Sequence, residues 1–215
     1  VDDIIARLPA TQDGDLMIAD GVAYQADMSA GRVAYDAGYL EKCEAYAGSD
    51  VARAVHAGRC ALLMRHLSAG ASVLDIGAGS GAFIRDAQAW GFQMRGFDVI
   101  PETASLLRAQ GLYADDAGQF DAVTMWDVLE HIEDPAQALA SIRRGAMLFV
   151  SLPIYADLSR VRESRHYRPG EHLWHFTDGR FVSWMTSLGF KLLERSDHEV
   201  RAGRDSIGAY AFQRQ

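Results

Sequence analysis

Cysteine is scarce in this chain of 215 residues: Cys43 and Cys60 are the only two, and neither sits at a metal-ligand or redox spacing. That excludes a disulfide framework and suits a reducing compartment, with both thiols read as small buried side chains. Long apolar runs are missing as well. None approaches the ~20 residues needed to cross a bilayer, so no membrane role is expected. The opening VDDIIARLPATQDGD lacks the basic and then apolar layout of a signal peptide, and a cytoplasmic location is the expectation. There is no internal repeat and no low-complexity tract. Positive charge is in the minority, 21 Lys and Arg against 29 Asp and Glu. A chain of net charge −8 repels phosphates over most of its surface, which argues against a general nucleic-acid binder. The deficit is local: residues 1–50 hold ten acids and three bases, whereas 51–215 hold nineteen and eighteen.

What is present is enough apolar material, 49% of the residues, for one substantial core. From about residue 50 helical and strand periods alternate. The expected fold is therefore α/β: a doubly wound, mostly parallel sheet with helices on both faces and an antiparallel C-terminal strand pair. Strands are expected at SVLDIG, FQMRGFDV, GLYA, FDAVTMWD and AMLFVSLP, then at FKLLERS and SIGAYAFQ. Helices are expected at VARAVHAGRCALLMRHL and after Gly81, with Phe83, Ala87 and Trp90 on one face. Asp134-Pro135-Ala136-Gln137 reads as a helix start, and Thr177 as the cap of a last helix that buries Phe181, Met185 and Leu188. Residues 51–215 thus form the main domain, with a loop-like insert at about 154–176 that is long and polar for a connection. Residues 1–50 form an acidic extension or cap, whose Tyr24, Tyr35, Tyr39 and Tyr46 favour ordered packing.

The strongest chemical signal is VLDIGAGSGAF. An apolar strand ends in Asp75, and glycines at 77, 79 and 81 let a ligand approach the backbone where a helix N-terminus offers unpaired N–H groups. Nicotinamide and flavin enzymes also use such a turn. Here, however, Ala82 stands where GxGxxG would have its last glycine, and the Asp75 carboxylate opposes a pyrophosphate but welcomes an ammonium. Asp98 closes the second strand, where a carboxylate accepts from both hydroxyls of a ribose. A third signal, DAVTMWDVLEHIEDP, leads from a strand into a loop with Asp127, Glu130 and His131 at the carboxyl edge of the sheet, where open sheets bind ligands.

At these residues the sequence resembles the class I S-adenosylmethionine-dependent methyltransferases, small enzymes with a motif like VLDIGCGTG and a later VLEHI. The stretches here read VLDIGAGSG and VLEHI, and EHLWHFT followed by SLGF is similar to that group's final helix and strand. The resemblance spans residues 50 to 200 and implies S-adenosyl-L-methionine as cofactor in the Gly77–Gly81 loop, with Ala78 in place of the usual cysteine. It places ribose on Asp98, with Val99 beside it, and adenine near Asp115 and Asp116. Trp126 is either a packed aromatic or a face for adenine, and Arg59 either a surface side chain or a contact to the cofactor carboxylate. His131 and Asp127 are the candidate catalytic groups, needed as bases only if the acceptor carries a proton of high pKa.

The acceptor is expected to be a small polar or anionic molecule rather than nucleic acid, since the signatures of many DNA base methyltransferases are missing. The insert core LSRVRESRHYRPG carries Arg160, Arg162, Arg165 and Arg168 against Glu163. Arg165, Arg168, His172 and His175 are its candidate substrate contacts, with Tyr155, Tyr167 and Trp174 as a stacking surface. His172 and His175 sit three apart, but no third ligand stands at a recognisable spacing and no metal is expected. Two rival readings stay open at this point: a nicotinamide-dependent oxidoreductase of the same general fold, and a non-catalytic S-adenosylmethionine-binding protein.

Overall fold

The computed structural model describes residues 5–30 and 37–215, and within them not the side chains of residues 6, 37, 39, 40 and 42. Tyr35 and the Tyr39 side chain, expected in ordered packing, lie outside the described residues. Three short strands open the chain, β1 (Thr11–Asp13), β2 (Leu16–Ala19) and β3 (Val22–Gln25), followed by helices α1 (Ala37–Ala47) and α2 (Asp50–His66). Then come β4 (Ser72–Ile76), α3 (Ala82–Ala89), β5 (Gln93–Phe97), α4 (Pro101–Ala109), β6 (Ala122–Trp126), α5 (Pro135–Ala140) and β7 (Met147–Tyr155). The chain ends with β8 (Trp174–Thr177), α6 (Asp178–Ser187), β9 (Phe190–Ser196), α7 (His198–Arg201) and β10 (Ile207–Arg214).

The central strands run β5-β4-β6-β7, all parallel; β10 then pairs antiparallel with β7, and β9 with β10. This is the expected doubly wound sheet with its antiparallel C-terminal pair. Every residue of β6 is buried, as a strand covered on both faces must be. The period of two still sorts its side chains: Val123 and Met125 join Phe181, Trp184 and Met185 on one face, while Ala122 and Trp126 join Leu62, Phe83 and Ile84 on the other. The sheet-edge strand β9 alternates buried and open positions instead.

Local signals set several element ends. The Ser49 hydroxyl accepts the Ala52 amide to start α2, and Asp134 accepts the Gln137 amide ahead of Pro135 to start α5. Thr177 does occupy the cap position of α6, but its hydroxyl donates to the Gly21 carbonyl of the N-terminal segment. Two expectations need correction. Trp90 is 45% exposed, because α3 ends at Ala89 and the ring falls beyond the buried face. GLYA contributes a single parallel bridge, Tyr113 to Gly96, rather than a strand.

The insert is less of a loop than its composition suggests. It ends in β8, which pairs parallel with the last residues of β7 and antiparallel with β3, so that β1-β2-β3-β8 extend the sheet beyond β7. A small core of Leu16, Ala23, Tyr155, Leu158 and Val161 sits between them. Hydrophobic residues of the N-terminal strands and of the insert bury one another there, which positions the insert over the carboxyl edge of β6 and β7.

Candidate active site

The glycine turn is built on positive φ angles, 75° at Gly77, 52° at Gly79 and 70° at Gly81, which side chains rarely adopt. A Cβ on Gly77 would lie 2.3 Å from Val128 Cγ2, so the turn and the loop after β6 are in direct contact. Over Gly79, among the described residues, Cys43 Sγ of α1 is the only atom within 4 Å of a Cβ built there, at 3.9 Å. The Gly77 and Ala78 amides donate to the Phe97 carbonyl, and the Gly79 amide to Asp98 Oδ2 at 2.9 Å. Asp98 Oδ1 also accepts the Ile100 amide at 2.9 Å. A carboxylate has about four lone-pair sites, so Asp98 keeps acceptor capacity for hydroxyls of a ligand. An open backbone cradle beside an acid at the end of the neighbouring strand fits an adenosyl cofactor.

The other residues expected around the cofactor are placed variously. Asp75 lies beneath the turn, 3% exposed, bonded by the Thr124 hydroxyl at 2.6 Å; burial pushes its carboxyl up to about 7. Ala78 packs into the core under α3, whereas Val99 is 78% exposed. Trp126 is buried edge-on against Phe83, with the Arg59 guanidinium 4.7 Å above its ring. Asp115 is not brought to the turn. It lines an open cleft with Ser72 and Gln93, the first residues of β4 and β5, because the short link from Tyr113 to β6 returns the chain at once to the amino end of the sheet.

Arg59 is not a surface side chain. It belongs to a partly buried four-charge network: its Nε donates to Glu199 Oε1 at 2.7 Å and its Nη2 to Asp127 Oδ2 at 3.1 Å. Arg204 Nη1 donates to the same two acids, at 2.8 Å to Asp127 and 2.6 Å to Glu199. Two cations against two carboxylates balance the charge, and the arginines hold the Glu199 carboxyl below its usual range despite burial. Asp127, at φ 57°, is thus committed to ion pairing. Glu199 and Arg204 were missed by sequence reasoning, because charges in a short helix and the turn after it read as solvated.

His131 lies on a 3-10 turn (Leu129–His131) directly after β6. Its Nδ1 faces the Glu171 carbonyl at 2.9 Å, and its ring meets His172 edge to face at 4.7 Å. Glu130 is 1% exposed, its carboxyl raised by burial and by the charge of Asp127. His172 is buried, and burial followed by its cationic neighbours pushes its imidazole down to about 2. The Leu173 amide donates to the Glu130 carbonyl at 2.8 Å and Trp174 Nε1 to the Ile132 carbonyl at 2.9 Å, which clamps the insert onto this loop. His175 does not reach the group. It is fully buried beside Tyr155, whose hydroxyl lies 3.1 Å from its Nδ1, since successive side chains on β8 point to opposite faces.

The insert arginines are largely spoken for. Arg162 pairs with Asp13 and Asp15, Arg160 with Glu163 and Arg168 with Glu171. Arg165, exposed, donates to the Asp205 carbonyl at 3.1 Å and has no carboxylate partner among the described residues.

Comparison with known proteins adds three findings. A family model for a methyltransferase domain matches residues 48–195. The ubiquinone biosynthesis O-methyltransferase of Xanthomonas axonopodis pv. citri (strain 306) is 35% identical over 155 residues, covering 58% of this chain and 64% of that protein. The chain spans less than two thirds of the length of the curated relatives it matches first. Among solved structures, the fold is similar to Burkholderia thailandensis 1,6-didemethyltoxoflavin-N1-methyltransferase, bound to 1,6-didemethyltoxoflavin and S-adenosylhomocysteine. That likeness has a TM-score of 0.54 and 19% identity over 96% of this chain and 99% of the other. It is similar too to magnesium protoporphyrin IX methyltransferase of Synechocystis PCC 6803 with bound S-adenosylhomocysteine, with a TM-score of 0.55 and 17% identity over 86% and 90% of the two chains.

Proposed function

This chain belongs to the methyltransferase-domain family, the class I S-adenosylmethionine-dependent enzymes, and on that premise we propose that it methylates a hydroxyl oxygen of a small polar acceptor. The observation that carries the reading is the contact of Val128 with Gly77. It sets the loop bearing His131 beside the turn that would hold the cofactor. The oxygen acceptor is supported by the relatives named as ubiquinone biosynthesis O-methyltransferases. The nicotinamide reading loses its support with the family match.

S-adenosylmethionine, when bound, supplies an activated methyl on a sulfonium. In transfer the sulfonium would give up its methyl with the C–S electron pair left on sulfur, the acceptor oxygen would gain the methyl, and the hydroxyl proton would leave. Gly79 and Asp98 would hold the nucleoside and fix the direction in which the methyl is presented. Holding the acceptor oxygen in line with it supplies ~7–11 kcal/mol of the barrier. We assign His131 to the acceptor hydroxyl, the group whose proton must leave. The Glu171 carbonyl engages Nδ1, which leaves Nε2 as the basic nitrogen. Asp127, held by Arg59 and Arg204, orders the loop instead. Arg165 and the ring surface of Tyr24 and Trp174, with centroids 5.2 Å apart, suit a polar or anionic ring compound.

The test is methyl transfer from isotopically labelled S-adenosylmethionine to a panel holding a phenol, a carboxylic acid and an amine. The expected product is the methyl ether of the phenol. Product on nitrogen or carboxylate alone would sink the oxygen assignment.

A further inference from the structure

We infer that Glu130, His131 and His172 form a binding site for one divalent transition-metal ion. One donor atom from each lies within 4.8 Å of the other two. Both carboxylate oxygens of Glu130 and Nδ1 of His172 are buried without a hydrogen-bond partner among the described residues. Leaving such groups unmatched is costly, and a cation matches them at once. The third group is already oriented as metal-bound histidines are. With its Nδ1–H donated to the Glu171 carbonyl, His131 has its Nε2 3.9 Å from Glu130 Oε1. The unmatched buried atoms and a ring held by a backbone carbonyl outside the set point independently to the same ion.

The donor chemistry selects the ion. Two imidazoles and one carboxylate suit zinc and its neighbours in the first transition row, whereas magnesium and calcium prefer oxygen. Zinc bonds of ~2.0–2.1 Å put tetrahedral donors ~3.3 Å apart, so the side chains close by ~1.5 Å at most on binding. The clamp of Leu173 and Trp174 on the Glu130–Ile132 backbone holds both halves of the site within that reach. No metal signature is legible in the sequence because Glu130 and His131 lie in one segment and His172 stands 41 positions beyond His131.

Three protein ligands leave a coordination position for an oxygen. Resting here on the O-methylation reading, the ion would take the acceptor hydroxyl and lower its pKa, so that its proton passes to solvent and His131 serves as ligand rather than base.

Binding is tested first, without cofactor or acceptor, by titrating EDTA-stripped protein with ZnCl2 in a calorimeter. One equivalent should bind with micromolar or tighter affinity and raise Tm, while MgCl2 gives neither effect. Glu130→Gln and His172→Ala should each weaken zinc by at least ~10-fold, and His166→Ala, which changes an insert histidine bonded elsewhere, should not. If circular dichroism shows that either variant is misfolded, Co2+ added to the wild-type protein decides: visible bands of a four-coordinate site with nitrogen ligands support the assignment. No saturable zinc binding, octahedral cobalt spectra, or unchanged affinity in both folded variants overturns it. In a second arm, EDTA should abolish methylation of the phenol and ZnCl2 restore it. Full activity in EDTA overturns the ion's part in the reaction. Failure to bind metal leaves the phenol assay standing, so the two readings fail separately.

Discussion

Arg162 of the insert donates to Asp13 at 2.6 Å across 149 positions of sequence. With Asp15 also on this guanidinium at 2.9 Å, the acidic N-terminal segment and the basic insert partly neutralise one another. Two charge anomalies that look separate in sequence are therefore one contact in space. Tyr167 of the insert also donates its hydroxyl to Asp15.

A first consequence concerns the acceptor. Because Arg160, Arg162 and Arg168 already face carboxylates, Arg165 is the arginine best able to meet an anionic group. Arg165→Ala should raise KM for an anionic acceptor several-fold and leave the cofactor Kd unchanged, with a smaller effect for Arg168→Ala. Steady-state kinetics at low and high salt check this, since KM for the wild type should rise with ionic strength.

Asp98 holds the Gly79 amide, and on the proposed reading it holds the cofactor ribose as well. Asp98→Ala should weaken S-adenosylmethionine by more than ~10-fold, charge-assisted hydrogen bonds contributing ~1.5–3 kcal/mol each. Asp98→Asn should fall between. Gly79→Val should abolish binding, because its side chain fills the open cradle and its backbone resists φ 52°. Calorimetric titration of each folded variant is the measurement; normal affinity in Gly79→Val would remove the turn from the cofactor site.

Glu199 is the fully buried member of the four-charge network. Removing it leaves Arg59 and Arg204 with a single carboxylate between them, and breaking one partner out of such a pair costs ~3–5 kcal/mol. Glu199→Ala should lose stability on that scale in urea titration at pH 7. Its folded-state pKa is depressed by the arginines, so this stabilisation is present above the unfolded value of 4.5 and fades as pH falls below it.

Asp75 has the opposite sign. Its pKa rises from 3.8 to about 7 on folding, so the folded protein holds the proton more tightly. The stabilisation is complete below pH 3.8 and is lost as pH climbs through 7. Asp75→Asn keeps the oxygen that accepts from Thr124 and removes the titration. Between pH 5 and 8 the wild type should therefore lose about 2–3 kcal/mol relative to this variant. Urea midpoints at the two pH values decide it, and parallel curves would contradict the burial argument.

The alternation of strand and helix, the glycine turn and the acids Asp75 and Asp98 were legible because each depends on a few consecutive residues. Periodicity is set by local backbone geometry, a positive φ demands glycine nearby in sequence, and a capping side chain reaches two or three residues. So the sequence by itself determined the doubly wound sheet, the glycine turn and the loop carrying His131. It did not determine which charges would meet. Glu199 and Arg204 joined Arg59 and Asp127, Asp13 found Arg162, and His172 rather than His175 came to Glu130 and His131. Those partners are chosen by where α7 docks on α2 for the first set, and by where β3 and β8 dock for the others. Coulomb and hydrogen-bond energies act through a few ångströms of space, whatever the distance along the chain, and only the tertiary structure fixes that space.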